Sequence, residues 1–177
     1  MSTRSSIAML NIDGTVHGHY CHSDGYLSYN GEMLFEHYKD INKVKELIAL
    51  GDMSSLAPEV CPPKGSKHSF DNRCDGVSVF YGRDRGEKGV DTQKYESLEA
   101  YLKDGNFQEY DYVFNEKKKE WFLINHKTQK LQKLSTLLLK DESVSSNTKK
   151  IISTEKSVKK LSKELKTNNQ VKTKNKI

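Results

Sequence analysis

Cysteine, proline and long apolar runs are all scarce in this sequence of 177 residues. Three cysteines are an odd number and too few for a disulfide scaffold, which favours a reduced, intracellular protein. No apolar run approaches the roughly 20 residues of a spanning helix, and mean hydropathy is −0.79, so a transmembrane helical protein is not expected. The first ten residues, MSTRSSIAML, hold one Arg and a four-residue apolar stretch, too short for a secretory leader. The reaction signatures are missing too. There is no G-x-S-x-G, no Walker A loop and no paired-carboxylate motif.

The sharpest absence is positional. Every Trp, Tyr, Phe, Met, Cys, Gly and Pro lies before residue 126. Residues 126–177 hold 14 Lys, no Arg and 4 acids, a net of +10, whereas residues 1–125 carry 15 Lys+Arg against 20 Asp+Glu, a net of −5. A segment without aromatics or glycines is not expected to build a core of its own. The reading is therefore a globular domain over residues 1–125 and a basic, low-complexity tail over 126–177, helical or disordered.

The domain reads as α+β. Ile7–Asn11 and Val16–Cys21 flank Asp13-Gly14, a hairpin signal. Helical spacing runs over Gly31–Lys39 and Ile41–Leu50, with Gly51 as the stop. Three prolines make Ala57–Phe70 a loop, Val77–Tyr81 a strand follows, and Gly82–Gly89 fits neither element. Ser97 starts a short helix, and Tyr110–Asn115 with Glu120–Ile124 form a second hairpin. The expected architecture is a small antiparallel sheet, two hairpins plus a central strand, covered on one face by two or three helices. In the tail, Ile151, Thr154, Val158, Leu161 and Leu165 form one stripe and Leu131, Leu134 and Leu138 another, as amphipathic helices that are marginal alone.

Three constellations could carry chemistry. His17, His19 and Cys21 would share one face of a strand, a possible zinc set for a metal-dependent hydrolase; the plainer alternative is exposed histidines and a packed cysteine. Cys61, His68 and Cys74 match no compact zinc module, so no metal and no cofactor are assigned. The loop SDGYLSYN, with Tyr20, His22, Asp24 and Tyr26, could wall a pocket, or its tyrosines could cover the next helix. Arg83 and Arg85, between Gly82 and Gly86, are the best anion-binding candidates, unless Asp84 and Glu87 neutralise them. Lys149, Lys150, Lys156, Lys159 and Lys160 offer sequence-independent phosphate contacts.

The run Tyr20-Cys21-His22-x-Asp24-Gly25-Tyr26, with His37-Tyr38, Leu47–Leu56 and Arg83-Asp84-Arg85-Gly86-Glu87, resembles a family of small proteins of phages, prophages and some bacteria. The resemblance spans residues 4–124. Where that family usually has Trp and Pro this chain has Ser23 and Leu27, and His17 and His19 lie outside the pattern. What it implies is a context and not a mechanism: a viral accessory protein in the bacterial cytoplasm. The leading reading beside it is a non-enzymatic protein that binds a host macromolecule, such as a host protein, or a small anionic ligand. The alternatives are a nucleic-acid-associated protein using the tail, and the metal-dependent hydrolase.

Overall fold

The protein, described here from a computed structural model, is defined for residues 2–105 and 107–174, with side chains placed in these ranges except at 104 and 166–174. The last three residues of the expected tail, 175–177, lie outside the described residues.

Strands β1 (Ser5–Leu10) and β2 (Val16–Cys21) form the expected hairpin. Its turn is closed by Asn11 N–H on Thr15 O (2.9 Å), with Gly14 at φ +93 and the Asp13 carboxylate accepting from Thr15 N–H and Oγ1. A π-helical turn (Leu27–Gly31) leads into α1 (Glu32–His37). Then α2 (Ile41–Ala49) begins at Asp40, whose side chain caps Asn42 N–H and Lys43 N–H, and ends before Gly51 at φ +75. Short strands β3 (Met53–Ser55) and β4 (Val79–Phe80) bracket the long loop. The segment expected to be irregular contains a one-turn helix, α3 (Tyr81–Arg85), closed by Gly86 in the left-handed region. Next come β5 (Gln93–Tyr95) and α4 (Leu98–Asp104), the latter capped by Ser97. The meander β6 (Tyr110–Asn115), β7 (Glu120–Asn125) and β8 (Lys130–Lys133) is followed by α5 (Leu134–Lys140) and α6 (Ser146–Lys174).

The fold is α+β, with a larger and differently connected sheet than the sequence suggested. Eight strands form one mixed sheet in the order β4-β3-β2-β1-β6-β7-β8, with β5 also on β2. Its centre is a parallel pair, β1 with β6, joining residues about a hundred positions apart. The outer edge of β2 is divided: Val16–Gly18 pair with β5, and Cys21 pairs with β3. Such short strands carry too little sequence to be seen alone.

Both faces are covered, not one. On β1, Ile7 and Met9 point into the main core and Ala8 and Leu10 into a second cluster, which is why the strand reads as an unbroken apolar run. The second cluster is roofed by α4, through Leu98, Tyr101 and Leu102, with Val113 and Ile124 beneath. The main core lies under α1, α2, α5 and the start of α6. Its large polar aromatics are satisfied at their tips: Tyr38 OH donates to Ala57 O (2.6 Å), Tyr112 OH to Gly25 O (2.8 Å) and Trp121 Nε1 to Tyr38 O (2.7 Å).

The boundary at 125 is corrected by this core. β8 extends the sheet, and Leu134, Leu138 and Ile152 are fully buried beside Phe114 and Trp121, with Val144 close behind. Of the leucine stripe that looked like a marginal helix, Leu134 and Leu138 on α5 are a core face, while Leu131 lies in β8 against the second cluster. No helix among the described residues is long and apolar enough to cross a membrane.

Candidate ligand-binding site

The residues singled out in the sequence are engaged in three different places. Tyr20 OH and His22 Nδ1 are 2.9 Å apart at the end of β2, and Tyr20 N–H donates to Asp52. Asp24 adopts φ +56 in the tight turn that follows, its carbonyl accepting Asn30 N–H, and Tyr26 stacks edgewise on Tyr29. This turn packs hard against the N-terminus. Gly25 N–H donates to Thr3 O, and a Cβ there would stand 2.7 Å from Arg4 O, so only glycine fits. Asn30 bonds Cys21 Sγ, Ser5 Oγ and Ser23 O. The Cys-His-x-Asp-Gly run thus has a structural use, locking the loop to β1.

Arg83 turns inward. Its guanidinium forks onto Asp84 (2.6 and 2.8 Å) and donates to Val60 O (2.8 Å) and Ser78 O (2.7 Å), pinning the long loop to α3. Asp84 also accepts Phe80 N–H and lies 3.3 Å from His68 Nε2. Burial works against its ionisation, but the bonds from Arg83 and Phe80 prevail and hold the carboxyl below its ordinary range. Arg85 lies outside, paired with Glu87 (3.0 Å) and over the Phe70 ring (4.6 Å). The acids neutralise both arginines.

His17, His19 and Cys21 do share a face, but not a ligand geometry. His17 lines an open cleft with Lys45 and Lys94, whereas His19 and Cys21 are buried. Burial pushes the Cys21 thiol up to about 11, away from the thiolate a metal needs. Cys61 contacts Glu46, while His68 and Cys74 bond each other's segment. Among the described residues, no three His, Cys, Asp or Glu converge to hold a metal.

His19 is a stability element with a pH signature. Its Nδ1–H donates to Gly51 O and its ring stacks toward Phe80, while Nε2 has no partner among the described residues. Burial holds its pKa down to about 4 against an ordinary 6.5. Between those values the unfolded chain binds a proton that the folded chain refuses. The stabilisation is complete above pH 6.5 and lost as pH falls through the window, about 3 kcal/mol by its lower end. Urea midpoints measured from pH 7 to 4 should fall less steeply in His19→Gln than in the parent. Parallel curves would refute the assignment.

A second buried polar group lies under α4. Ser6 Oγ–H donates to Asp111, Tyr101 OH donates to Ser6 Oγ (3.1 Å), and His126 Nε2 and Gln108 N–H also bond Asp111. Burial pushes the Asp111 carboxyl up, against those bonds. The residues are those of a nucleophilic triad in the wrong order. Asp111 stands between Ser6 and His126, so the imidazole cannot take the serine proton.

The site the sequence did not reveal lies where α1, β7 and α6 meet. A cavity of about 290 Å³ opens there, near the lower end of small-molecule pockets, roughly 300–1,000 Å³. Phe35, Phe114, Trp121 and Ile152 make its floor. Five lysines, Lys39, Lys119, Lys133, Lys156 and Lys159, rim it against only two acids, Glu120 and Glu155. Glu155 holds Lys39 (2.6 Å), and Glu120 holds both Lys133 (2.7 Å) and Lys159 (3.3 Å). Lys119 and Lys156 have no ion pair among the described residues. Two of the lysines expected to touch phosphates, Lys156 and Lys159, belong to this rim, and Lys160 sits 4.0 Å from Glu164 on α6. The signals available in the sequence were the sole Trp and the Lys117–Lys119 turn beside it, but they meet α6 only in three dimensions.

Compared with family models, with curated proteins and with solved structures, the chain matches none.

Proposed function

We propose that this is a binding protein, not a catalyst, and that the lysine-rimmed pocket takes a small anion with an apolar, ring-sized body. The observation that carries the reading is the pairing of a buried aromatic floor with Lys119 and Lys156, two rim lysines with no ion pair among the described residues. An apolar body would replace weakly held water over Trp121 and Phe35, and a carboxylate or phosphate would complete the lysines' electrostatics. The resemblance to phage and prophage proteins supports an accessory role, in which a captured metabolite or an acidic group of a host protein is the natural occupant.

Trp121, the only tryptophan, supplies the readout. Titration with 1-naphthoate should change its fluorescence saturably, and 1-naphthalenemethanol, the neutral analogue, should bind more weakly. A Lys119→Glu/Lys156→Glu variant should weaken naphthoate at least about tenfold, the equivalent of ~1.4 kcal/mol, with the melting temperature unchanged. Equal affinity of parent and variant, or of acid and alcohol, would remove the pocket from consideration.

A second reading is favoured by α6 itself, a rod of about 44 Å at 1.5 Å per residue. Lys149, Lys156 and Lys160 lie along one side of it, suited to phosphates rather than to bases. With about 5 lysines engaged, log K against log salt on a duplex would slope near −4 to −5. A flat response would exclude it.

A further inference from the structure

From Ile151, which rests on the edge of the main core, α6 carries an apolar seam outward that is exposed beyond it. Val158, Leu161 and Leu165 are 56%, 58% and 64% exposed, whereas among the described residues the only other large aliphatic side chain so open is Ile12. Together with Ile151 and Thr154 they step by three and four residues alternately, which is the a/d spacing of a two-stranded coiled coil. Thr154 fits such a seam because its hydroxyl is already bonded to Lys150 O (3.0 Å), leaving its methyl outward. An apolar groove along Ile151, Thr154 and Val158 runs down this face.

We infer that α6 is a dimerisation helix, pairing in parallel with α6 of a second copy of this chain through Ile151, Thr154, Val158, Leu161 and Leu165. Three features select that occupant. The a positions Ile151 and Val158 are β-branched and the d position Leu161 is leucine, the combination that favours parallel two-stranded pairing, with Thr154 at d and Leu165 at a departing from it. The lysines that make α6 basic sit away from the seam: Lys149, Lys156 and Lys163 at f, Lys159 at b, Lys160 at c. At the flanking positions, Lys150 at g faces Glu155 at e of the other helix, opposite charges in the parallel register and in no other, with Glu155 shared between that lysine and Lys39 of its own domain (2.6 Å).

The domain does not obstruct this arrangement. α6 meets its own domain through Thr148, bonded to Glu32 and Glu36, through Ile151 and Ile152, which pack on the main core, and through Glu155 and Lys159, paired with Lys39 and Glu120. At 100° per residue the mean direction of these residues is roughly 100° around the helix from the seam, which shares only Ile151 with them. Two domains would therefore hang on opposite outer sides of the pair. In the sequence the repeat continues with Asn168 and Lys172, so the apolar seam is two heptads long and the association is expected to be weak and concentration-dependent.

Sedimentation equilibrium of the full chain from about 10 µM to about 1 mM tests this, a range wide enough for a short seam. The weight-average mass should climb from that of one chain toward two, and Val158→Asp/Leu161→Asp should stay at one with an unchanged melt. Neither residue lines the lysine-rimmed pocket, so naphthoate binding by that variant should match the parent whatever the fate of the pocket reading. In a Cys61→Ser/Cys74→Ser background, Leu165→Cys should form an interchain disulfide under mild oxidation, since parallel pairing sets the two positions side by side. A monomer at every concentration overturns the inference, as does a dimer that the double variant leaves intact. Absence of the disulfide overturns the parallel register. Monomers that pellet with phosphatidylserine vesicles through the same residues would assign the seam to a lipid surface instead.

Discussion

A chain ending at Asn125 will not fold cooperatively. It loses β8 and, with α5 and α6, the buried side chains Leu134, Leu138, Val144 and Ile152. At about 1.5–3 kcal/mol for each large apolar side chain, the loss is on the order of 6–12 kcal/mol. That is comparable with the whole stability of an ordinary domain, about 5–15 kcal/mol. It also strips the cover from Trp121, Phe114 and Phe35, leaving an aromatic surface where the pocket was. Near-UV circular dichroism and a thermal scan should show a broad, weak transition. A chain ending at Ser157, which keeps Ile152 and the start of α6, should melt like the full chain. Sharp, parent-like melting of the shorter chain would mean that the C-terminal helices only decorate a finished core.

The second large effect is expected at Asp84. Its side chain is 2% exposed and gathers Arg83, the Phe80 N–H and His68. Asp84→Ala leaves the Arg83 guanidinium half-buried among carbonyls with its charge uncompensated, a change that costs about 3–5 kcal/mol in comparable buried pairs. For a chain of this size that is a fall in melting temperature of roughly 10 °C. Arg83→Lys should lose most of the same stability, because an ammonium cannot span the carboxylate, Val60 O and Ser78 O as a planar fork does. Arg85→Ala, at a half-exposed pair with Glu87, should cost less than about 1 kcal/mol. Equal losses at Arg83 and Arg85 would refute the division of labour between them.

The contrast between those arginines shows what could be seen in the sequence. Asp13-Gly14, Gly51 and Ser97 act through bonds within a few residues, and the hairpin turn, helix stop and helix cap they signal are all present. Arg83 and Arg85 look alike as letters in a glycine-flanked run. What separates them is the loop carbonyls of Val60 and Ser78, brought close by the docking of β3 and β4, and that is a tertiary event. Composition misled at the tail for a related reason. A leucine stripe free of aromatics looks marginal alone, yet Leu134 and Leu138 complete a core whose aromatics come from β6 and β7. The parallel pairing of β1 with β6 was equally hidden, since nothing local marks a partner so distant. The pocket inherits all of these: its walls come from α1, β6, β7 and α6, and each is unremarkable by itself.

The parallel pairing of β1 with β6 has a consequence for how the chain is made. Ser6 finds Asp111 across a separation of 105 residues, so the strand that ends as the spine of the sheet is synthesised well before its partner and completed late. At a translation rate of about 5–20 residues per second, β1 waits roughly 5–20 s for its partner. During that interval the β1–β2 hairpin has apolar side chains on both faces and an unpaired edge, a template for association between nascent chains. Chains held on the ribosome with residues up to about 105 exposed should therefore recruit a holding chaperone, and release it once β6 and β7 have emerged.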